Sequence, residues 1–447
     1  MPPHSTQQAQ LWDAPAAAGP VRGTVRVPGS KSLTNRHLLL AAIADRPSVL
    51  HRPLVSRDTL LMVQAVQALG VQVQRHDASA DADAAPEADA WWTVSPPARL
   101  RGEASIDCGL AGTVLRFVPA IAALAQGQVW FDGDPAARTR PVAPVLDALR
   151  ALGVQIRSDE RNGAGAVLPF TVHGTGSVSG GRVEIDASAS SQFVSALLLA
   201  AARFDTGVTL VHSGPSLPSR PHIEMTVQTL AAVGVQVSEP AANTWRVEPG
   251  TVSGCEVTIE PDLSSAAPFL ALAALTGGTV TIPDWPVRTT QAGRSMRDIL
   301  VQMGARAELD SAGLTLTGPA AGRLSGVDLD LHDVGELTPV VAAVAAACTS
   351  PTRLRGIGHL RGHESDRLAA LEAELTRVGA SVQQTDDGLA IQPARLHPAV
   401  LRTYHDHRMA MAAAVLGAVV PGVRVEDVAT TAKTYPGFAD AWAALVG

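Results

Sequence analysis

An Ala- and Leu-rich helical segment recurs six times along the 447-residue chain, and this recurrence restricts the fold more than any single motif does. The copies are SLTNRHLLLAAIA from Ser32, AGTVLRFVPAIAALAQG from Ala111, SSQFVSALLLAAA from Ser190, LSSAAPFLALAALTGG from Leu263, ELTPVVAAVAAACT from Glu336 and DHRMAMAAAVLGAVV from Asp406. Their starts lie 79, 79, 73, 73 and 70 residues apart. Helices this apolar on all sides belong inside a protein.

A second marker keeps step with the first. LGVQV at Leu69, LGVQI at Leu152, VGVQV at Val233, MGARA at Met303 and VGASV at Val378 each read as a helix end, a glycine cap and a short alternating strand, in five of the six repeats. Each unit therefore reads as a buried helix, a strand or loop, an amphipathic helix and further strands, an α/β pattern. Six copies in a chain too long for one ordinary core predict two domains of three units each. The acidic stretch His76–Ala90 reads as a solvated loop, and the first 20 residues, lacking a basic and then apolar leader pattern, as a loose tail.

Composition narrows the function. A formal net charge of -7 argues against a general nucleic-acid binder. The longest uncharged run, Leu263–Pro283, contains Ser264, Ser265, Pro268, Gly277 and Gly278, and so predicts a buried helix followed by a turn and strand, not a membrane span. Three distant cysteines, Cys108, Cys255 and Cys348, form neither a disulfide framework nor a zinc cluster and fit a reducing compartment. Only two lysines are present, Lys31 and Lys433, among 35 basic residues, which marks both as places that need a compact ammonium.

Polar residues gather at the starts of the Ala-rich helices, where free N–H groups and a partial positive charge attract anions. VPGSKSLTNR carries Lys31, Ser32 and Arg36; LAGTVLR carries Gly112, Thr113 and Arg116; SASSQF carries Ser190, Ser191 and Gln192; DGDPAARTRP and LPSRPHI add Arg140 and Ser219. The first of these is no P-loop, because the glycine five residues before the GK pair is missing. Farther on, HDVGELTP places Glu336 at a helix start, HLRGHESDRL offers His359, His363, Glu364 and Arg367, YHDHRMAMA offers His405, Asp406, His407 and Arg408, and TTAKTYPGF offers Lys433. The histidine spacings match no HExxH or related zinc pattern.

Taken together, GSKSLTNR, LAGTVLR, SSQF, GHESDRL, YHDHRMAMA and AKTYP resemble the 3-phosphoshikimate 1-carboxyvinyltransferase (5-enolpyruvylshikimate-3-phosphate synthase) family, in order, from about Val21 to the C-terminus. The resemblance implies a two-domain enolpyruvyl transferase fold of six βαβαββ repeats, three per domain, with buried helices directed at an interdomain cleft. It implies one discontinuous domain, residues 1–28 plus 262–447, and an inserted domain, residues 29–261. The implied reaction transfers the enolpyruvyl group of phosphoenolpyruvate to the 5-hydroxyl of shikimate 3-phosphate by addition and elimination, a step of chorismate and aromatic amino acid biosynthesis. A cytoplasmic monomer that uses no organic cofactor or metal and binds neither nucleic acid nor membrane is also implied.

By the same resemblance, Lys31, Ser32, Arg36, Ser190, Ser191, Gln192, Ser219, Glu336 and His363 would hold shikimate 3-phosphate. Lys31, Gly112, Arg140, Gln192, Arg367, Arg408 and Lys433 would hold phosphoenolpyruvate. Glu336 would deprotonate the 5-hydroxyl, and Glu364, Lys31 and Lys433 would serve the remaining proton and charge movements, with Glu364 and Lys31 as alternatives for the methylene proton. Glu336, His359, His363, His222 and Leu110 stand where the family more often has Asp, Asn, Lys, Tyr and Asn. Two rivals stand beside this reading. One is the sister family that transfers enolpyruvate to UDP-N-acetylglucosamine, for which Cys108 is a conceivable loop cysteine, and the other is a binding protein without turnover.

Overall fold

The computed structural model describes residues 10–76, 90–158 and 168–447. All but the two ends of the predicted acidic loop, and the first nine residues, lie outside these. The recurring segments are helices: α1 (Lys31–Ala42) and α2 (Arg57–Ala68), α3 (Gly112–Ala122) and α4 (Ala143–Ala151), α5 (Gln192–Ala201) and α6 (Pro221–Ala232), α7 (Leu263–Thr276) and α8 (Ser295–Gln302), α9 (Thr338–Ala346) and α10 (Arg367–Arg377), and α11 (His407–Val419) and α12 (Phe438–Val446). The first member of each pair is the Ala-rich one. Every residue of α3, α7 and α9 is buried, as helices without a polar face require.

Each of the first five repeats is completed by a four-stranded sheet with one pattern, a parallel pair followed by two antiparallel pairings. In the second repeat Ala104–Asp107 runs parallel to Gln126–Asp132, which pairs antiparallel with Phe170–Thr175, which pairs antiparallel with Gln155–Ser158. The glycine after the second helix sits at positive φ in all five, from 83° at Gly234 to 116° at Gly304, which is why the marker carries glycine there.

The chain divides into two compact units. One comprises residues 28–262 with 288–292 and holds α1 to α6; the other comprises residues 1–27, 263–287 and 293–447 and holds α7 to α12. In each unit the first repeat's sheet takes its parallel edge strand from a distant part of the chain. Glu256–Thr258 lies beside Ser48–His51 in one, and Arg22–Thr24 beside Thr279–Ile282 in the other. Residues 288–292 join the first unit through specific polar contacts. Thr290 Oγ1 donates to Gln228 Oε1 at 2.8 Å, and Gln291 Nε2 donates to Glu260 Oε2 at 2.8 Å and to the Pro261 carbonyl at 2.9 Å.

The start of the chain is not all loose tail. Leu11–Asp13 forms a strand antiparallel to Arg424–Glu426, which runs parallel to Val400–Leu401. The sixth repeat lacks the helix, glycine and strand marker, its sheet has three strands, and Leu11–Asp13 takes the place of the strand that elsewhere pairs antiparallel with the inner strand of the parallel pair. The apolar run predicted as helix, turn and strand is α7 followed by Thr279–Ile282. No described helix is long and apolar enough to cross a membrane.

Candidate active site

In the unit that holds α1 to α6, the starts of its three buried helices are tied to one another by side chains. Asn35 Nδ2 of α1 donates to Thr113 Oγ1 of α3 at 2.7 Å, and Arg116 Nη1 of α3 donates to Gln192 Oε1 of α5 at 2.9 Å. Lys31 is the first residue of α1 after the Ser30 cap; its ammonium meets Asp58 Oδ2 at 3.2 Å, and its backbone N–H donates to Asp262 Oδ2 at 3.3 Å.

Arg36 is 1% exposed. Its Nε donates to Thr226 Oγ1 at 2.8 Å, Nη1 to the Ser32 carbonyl at 3.0 Å and Nη2 to the His222 carbonyl at 3.0 Å, while the guanidinium lies over the Phe117 ring. Arg36 therefore braces α1 against α6, in addition to whatever it offers a ligand. The backbone of His222, not its ring, carries this bracing. Arg116, buried and seated over Phe193, also reaches Ser190 Oγ at 3.4 Å and the Pro141 carbonyl at 3.2 Å. Ser191 is buried, and Ser219 sits at φ 55°, a left-handed turn residue just ahead of α6.

Arg140 Nη1 donates to the Leu110 carbonyl at 2.7 Å, and its buried Nε has no acceptor among the described residues. Position 110 thus acts through its backbone, whatever its side chain. A Cβ at Gly112 would stand 2.8 Å from Arg140 Nη2 and 3.0 Å from Nη1. Glycine there makes room for the guanidinium.

The unit that holds α7 to α12 repeats the arrangement with a carboxylate at its centre. Glu336, in the turn that opens α9, accepts from Ser264 Oγ at the start of α7 and lies 3.9 Å from Arg408 Nη2 at the start of α11. Its side chain is 16% exposed, so the carboxylate is accessible yet held from two sides.

Beside it runs a chain of exchangeable protons. Lys433 Nζ donates to Glu364 Oε1 at 2.7 Å, and Glu364 Oε2 lies 3.2 Å from His407 Nδ1. Arg367 forks onto Asp406, with Nε to Oδ2 at 2.7 Å and Nη2 to Oδ1 at 3.1 Å; the two side chains are 3% and 0% exposed. Burial opposes both charges, but each offsets the other, so the Asp406 carboxyl stays below and the Arg367 guanidinium above its ordinary range. The fork takes up Nε and Nη2 and does not involve Nη1.

Oxygen and nitrogen atoms of Glu364, Asp406 and His407 lie within 4.8 Å of one another, close enough to hold a metal ion. Arg367 and Lys433 already stand as the cations against those carboxylates. His359 sits among His332, His363 and the Gly335 backbone, and burial, with help from His332 and Arg367, pushes its pKa down to about 4. His363 belongs to this ring cluster.

The motifs supplied every side chain in these two clusters except Asp58, Thr226 and Asp262. Ser264 stood in a quoted motif without a role. For Asp58 the sequence offered only an acid two residues after Ser56; its pairing with Lys31 is a contact between two helices.

A family model described as EPSP synthase (3-phosphoshikimate 1-carboxyvinyltransferase) matches residues 15–442. The 3-phosphoshikimate 1-carboxyvinyltransferase of Kocuria rhizophila is 56% identical over 445 residues, covering 99% of this chain and 98% of the relative. Among solved structures, an EPSP synthase from Acinetobacter baumannii superposes with a TM-score of 0.77 at 22% identity over 98% of both chains. The enolpyruvyl transferase NikO from Streptomyces tendae gives 0.72 at 18% identity over 96% of both. These two likenesses concern the fold.

Proposed function

The chain belongs to the EPSP synthase (3-phosphoshikimate 1-carboxyvinyltransferase) family, and from that premise we propose how its residues carry out the reaction. The enolpyruvyl group of phosphoenolpyruvate passes to the 5-hydroxyl of shikimate 3-phosphate, and phosphate leaves, in a step of aromatic amino acid biosynthesis. The observation that carries this reading is the match across residues 15–442, which takes in all the motifs above.

Glu336 is assigned as the base at the 5-hydroxyl. Ser264 and Arg408 fix its carboxylate, and a base must be held within hydrogen-bond reach of the proton it removes. As the alkoxide adds to C2 of phosphoenolpyruvate, the methylene carbon takes a proton and a tetrahedral intermediate forms; loss of a proton from the new methyl group then expels phosphate. Glu364 suits this exchange because Lys433 and His407 flank it, so a proton given up can be regained. Lys31 is the alternative donor.

Arg140, Arg367, Arg408, Lys31, Lys433 and the Gly112 backbone are assigned to phosphoenolpyruvate. The buried, unpaired Nε of Arg140 supports this, since a bound anion would supply its missing acceptor. Ser32, Arg36, Ser190, Ser191, Gln192, Ser219 and His363 are assigned to shikimate 3-phosphate. We further assign the protein to the cytoplasm as a monomer that needs no organic cofactor or metal.

Cys108 argues against the sugar-nucleotide rival. It is fully buried, and burial together with the Asp107 and Asp132 carboxylates drives its thiol far above the usual range, so it is no reactive loop cysteine. Incubation with phosphoenolpyruvate and each acceptor in turn tests the reading. Phosphate release is expected with shikimate 3-phosphate, and release with UDP-N-acetylglucosamine alone would overturn it. Tight binding of shikimate 3-phosphate without any product would favour the non-catalytic rival.

A further inference from the structure

We infer that Asp58 is the positioning residue for Lys31, and that it acts on the reaction only by holding that ammonium in place; this rests on the assignment of Lys31 above. The Asp58 side chain is 3% exposed, and Lys31 Nζ, at 3.2 Å, is its one ion-pair partner among the described residues. A carboxylate removed from water needs a cation or several donors to remain charged. Here Lys31 is the group that meets this need.

The dependence also runs the other way. Lys31 is the first residue of α1, where the helix dipole disfavours a cation, and no acid stands in the helix's own first turn. The ammonium is therefore opposed by its own helix and anchored from another, since Asp58 belongs to α2. Its four-carbon stem is flexible, and its side chain is 17% exposed, so without Asp58 the amine has water and several rotamers available.

Acids are also favoured in the first turn of a helix for capping reasons. At α2 that work is done by others. Ser56 Oγ accepts from the Thr59 N–H, and Thr59 Oγ1 accepts from the Ser56 N–H at 2.9 Å, which completes a reciprocal cap without Asp58. The Asp58 carboxylate is thus directed across to Lys31.

The test is a double-mutant cycle with Asp58→Asn and Lys31→Met, followed by kcat and both KM values, with melting and circular dichroism as checks on folding. Asp58→Asn alone is expected to lower kcat/KM by about 10- to 100-fold, the scale of a misplaced catalytic group. In the Lys31→Met background the same change is expected to alter kcat/KM by less than about threefold, because the group it positions is gone. Asp58→Glu, which keeps the charge, is expected to recover part of the lost rate.

A wild-type rate for Asp58→Asn beside a damaged Lys31→Met overturns the positioning role and leaves the assignment of Lys31 standing. An equal loss in both backgrounds also overturns it, since Asp58 would then act without Lys31. If Lys31→Met itself turns over normally, the Lys31 assignment fails and this inference fails with it. Were Asp58→Asn to melt early, comparing it with the double variant below its melting temperature still reads the coupling between the two residues.

Discussion

Gly112→Ala isolates one contact. The added Cβ would stand 2.8 Å from Arg140 Nη2, so the guanidinium must retreat by about 0.6 Å to reach an ordinary 3.4 Å contact. The retreat lengthens the bond from Nη1 to the Leu110 carbonyl, now 2.7 Å, to at most about 3.3 Å, which weakens it without breaking it. A hydrogen bond from a charged donor contributes about 1.5–3 kcal/mol. If that bond is what aims Arg140 at phosphoenolpyruvate, losing about half of that contribution corresponds to a rise in KM for that substrate of roughly 3- to 10-fold. The φ of Gly112 is not positive and alanine favours helices, so the substitution adds no backbone strain and the change in melting temperature should be small. Steady-state kinetics with each substrate varied in turn provide the assay. An unchanged KM for phosphoenolpyruvate, or an equal rise for shikimate 3-phosphate, would refute the link between Gly112, Arg140 and that anion.

Glu336→Gln is expected to retain binding of shikimate 3-phosphate by calorimetry while losing at least ~100-fold in kcat, the scale of a lost general base. Lys433→Arg should be damaging although charge is kept, because a planar fork cannot take the place of an ammonium 2.7 Å from Glu364 Oε1; stopped-time assays of kcat/KM read this. His37 is buried beside Arg36, and burial first, then that charge, pushes its pKa down to about 4. The unfolded chain binds a proton to this residue below pH 6.5 and the folded one does not. Stability therefore falls as pH drops from 6.5 to 4, by about 1.4 kcal/mol per pH unit. Calorimetric melting of His37→Gln should show a shallower acid slope than the parent. Of the three thiols, Cys255 should be alkylated first by iodoacetamide and located by mass spectrometry, since burial raises Cys348 to about 12 and Cys108 higher still.

The repeat architecture was readable because each copy solves the same packing problem. A helix with no polar face must be buried, and a glycine must end the second helix at positive φ before the strand begins. The missing sixth marker was equally readable, but its meaning was not. Nothing local in Leu11–Asp13 reveals a partner at Arg424–Glu426, more than 400 residues away. The same limit hid residues 288–292, whose contacts with Gln228 and Glu260 depend on tertiary placement.

In the candidate site, residue types were legible and pairings were not. Glu336, Glu364 and the two lysines stood out as charges at helix starts. That Ser264 would donate to Glu336, that Lys433 would meet Glu364, and that Asp58 would face Lys31 are contacts between elements distant in the chain. A periodicity argument treats the repeats one at a time and cannot supply them. Arg36 shows how much a residue type leaves unsaid. Read as a surface for an anion, it is also a buried brace with three protein acceptors.

Addition and elimination demand that the enzyme break the bond between carbon and oxygen in phosphoenolpyruvate. Phosphoenolpyruvate labelled with heavy oxygen at the bridging position, turned over with shikimate 3-phosphate, reports this by mass spectrometry. The label is expected to leave in the released phosphate, with one enolpyruvyl ether formed per phosphate. Label retained in pyruvate, with unlabelled phosphate, would mean cleavage at phosphorus and would contradict it.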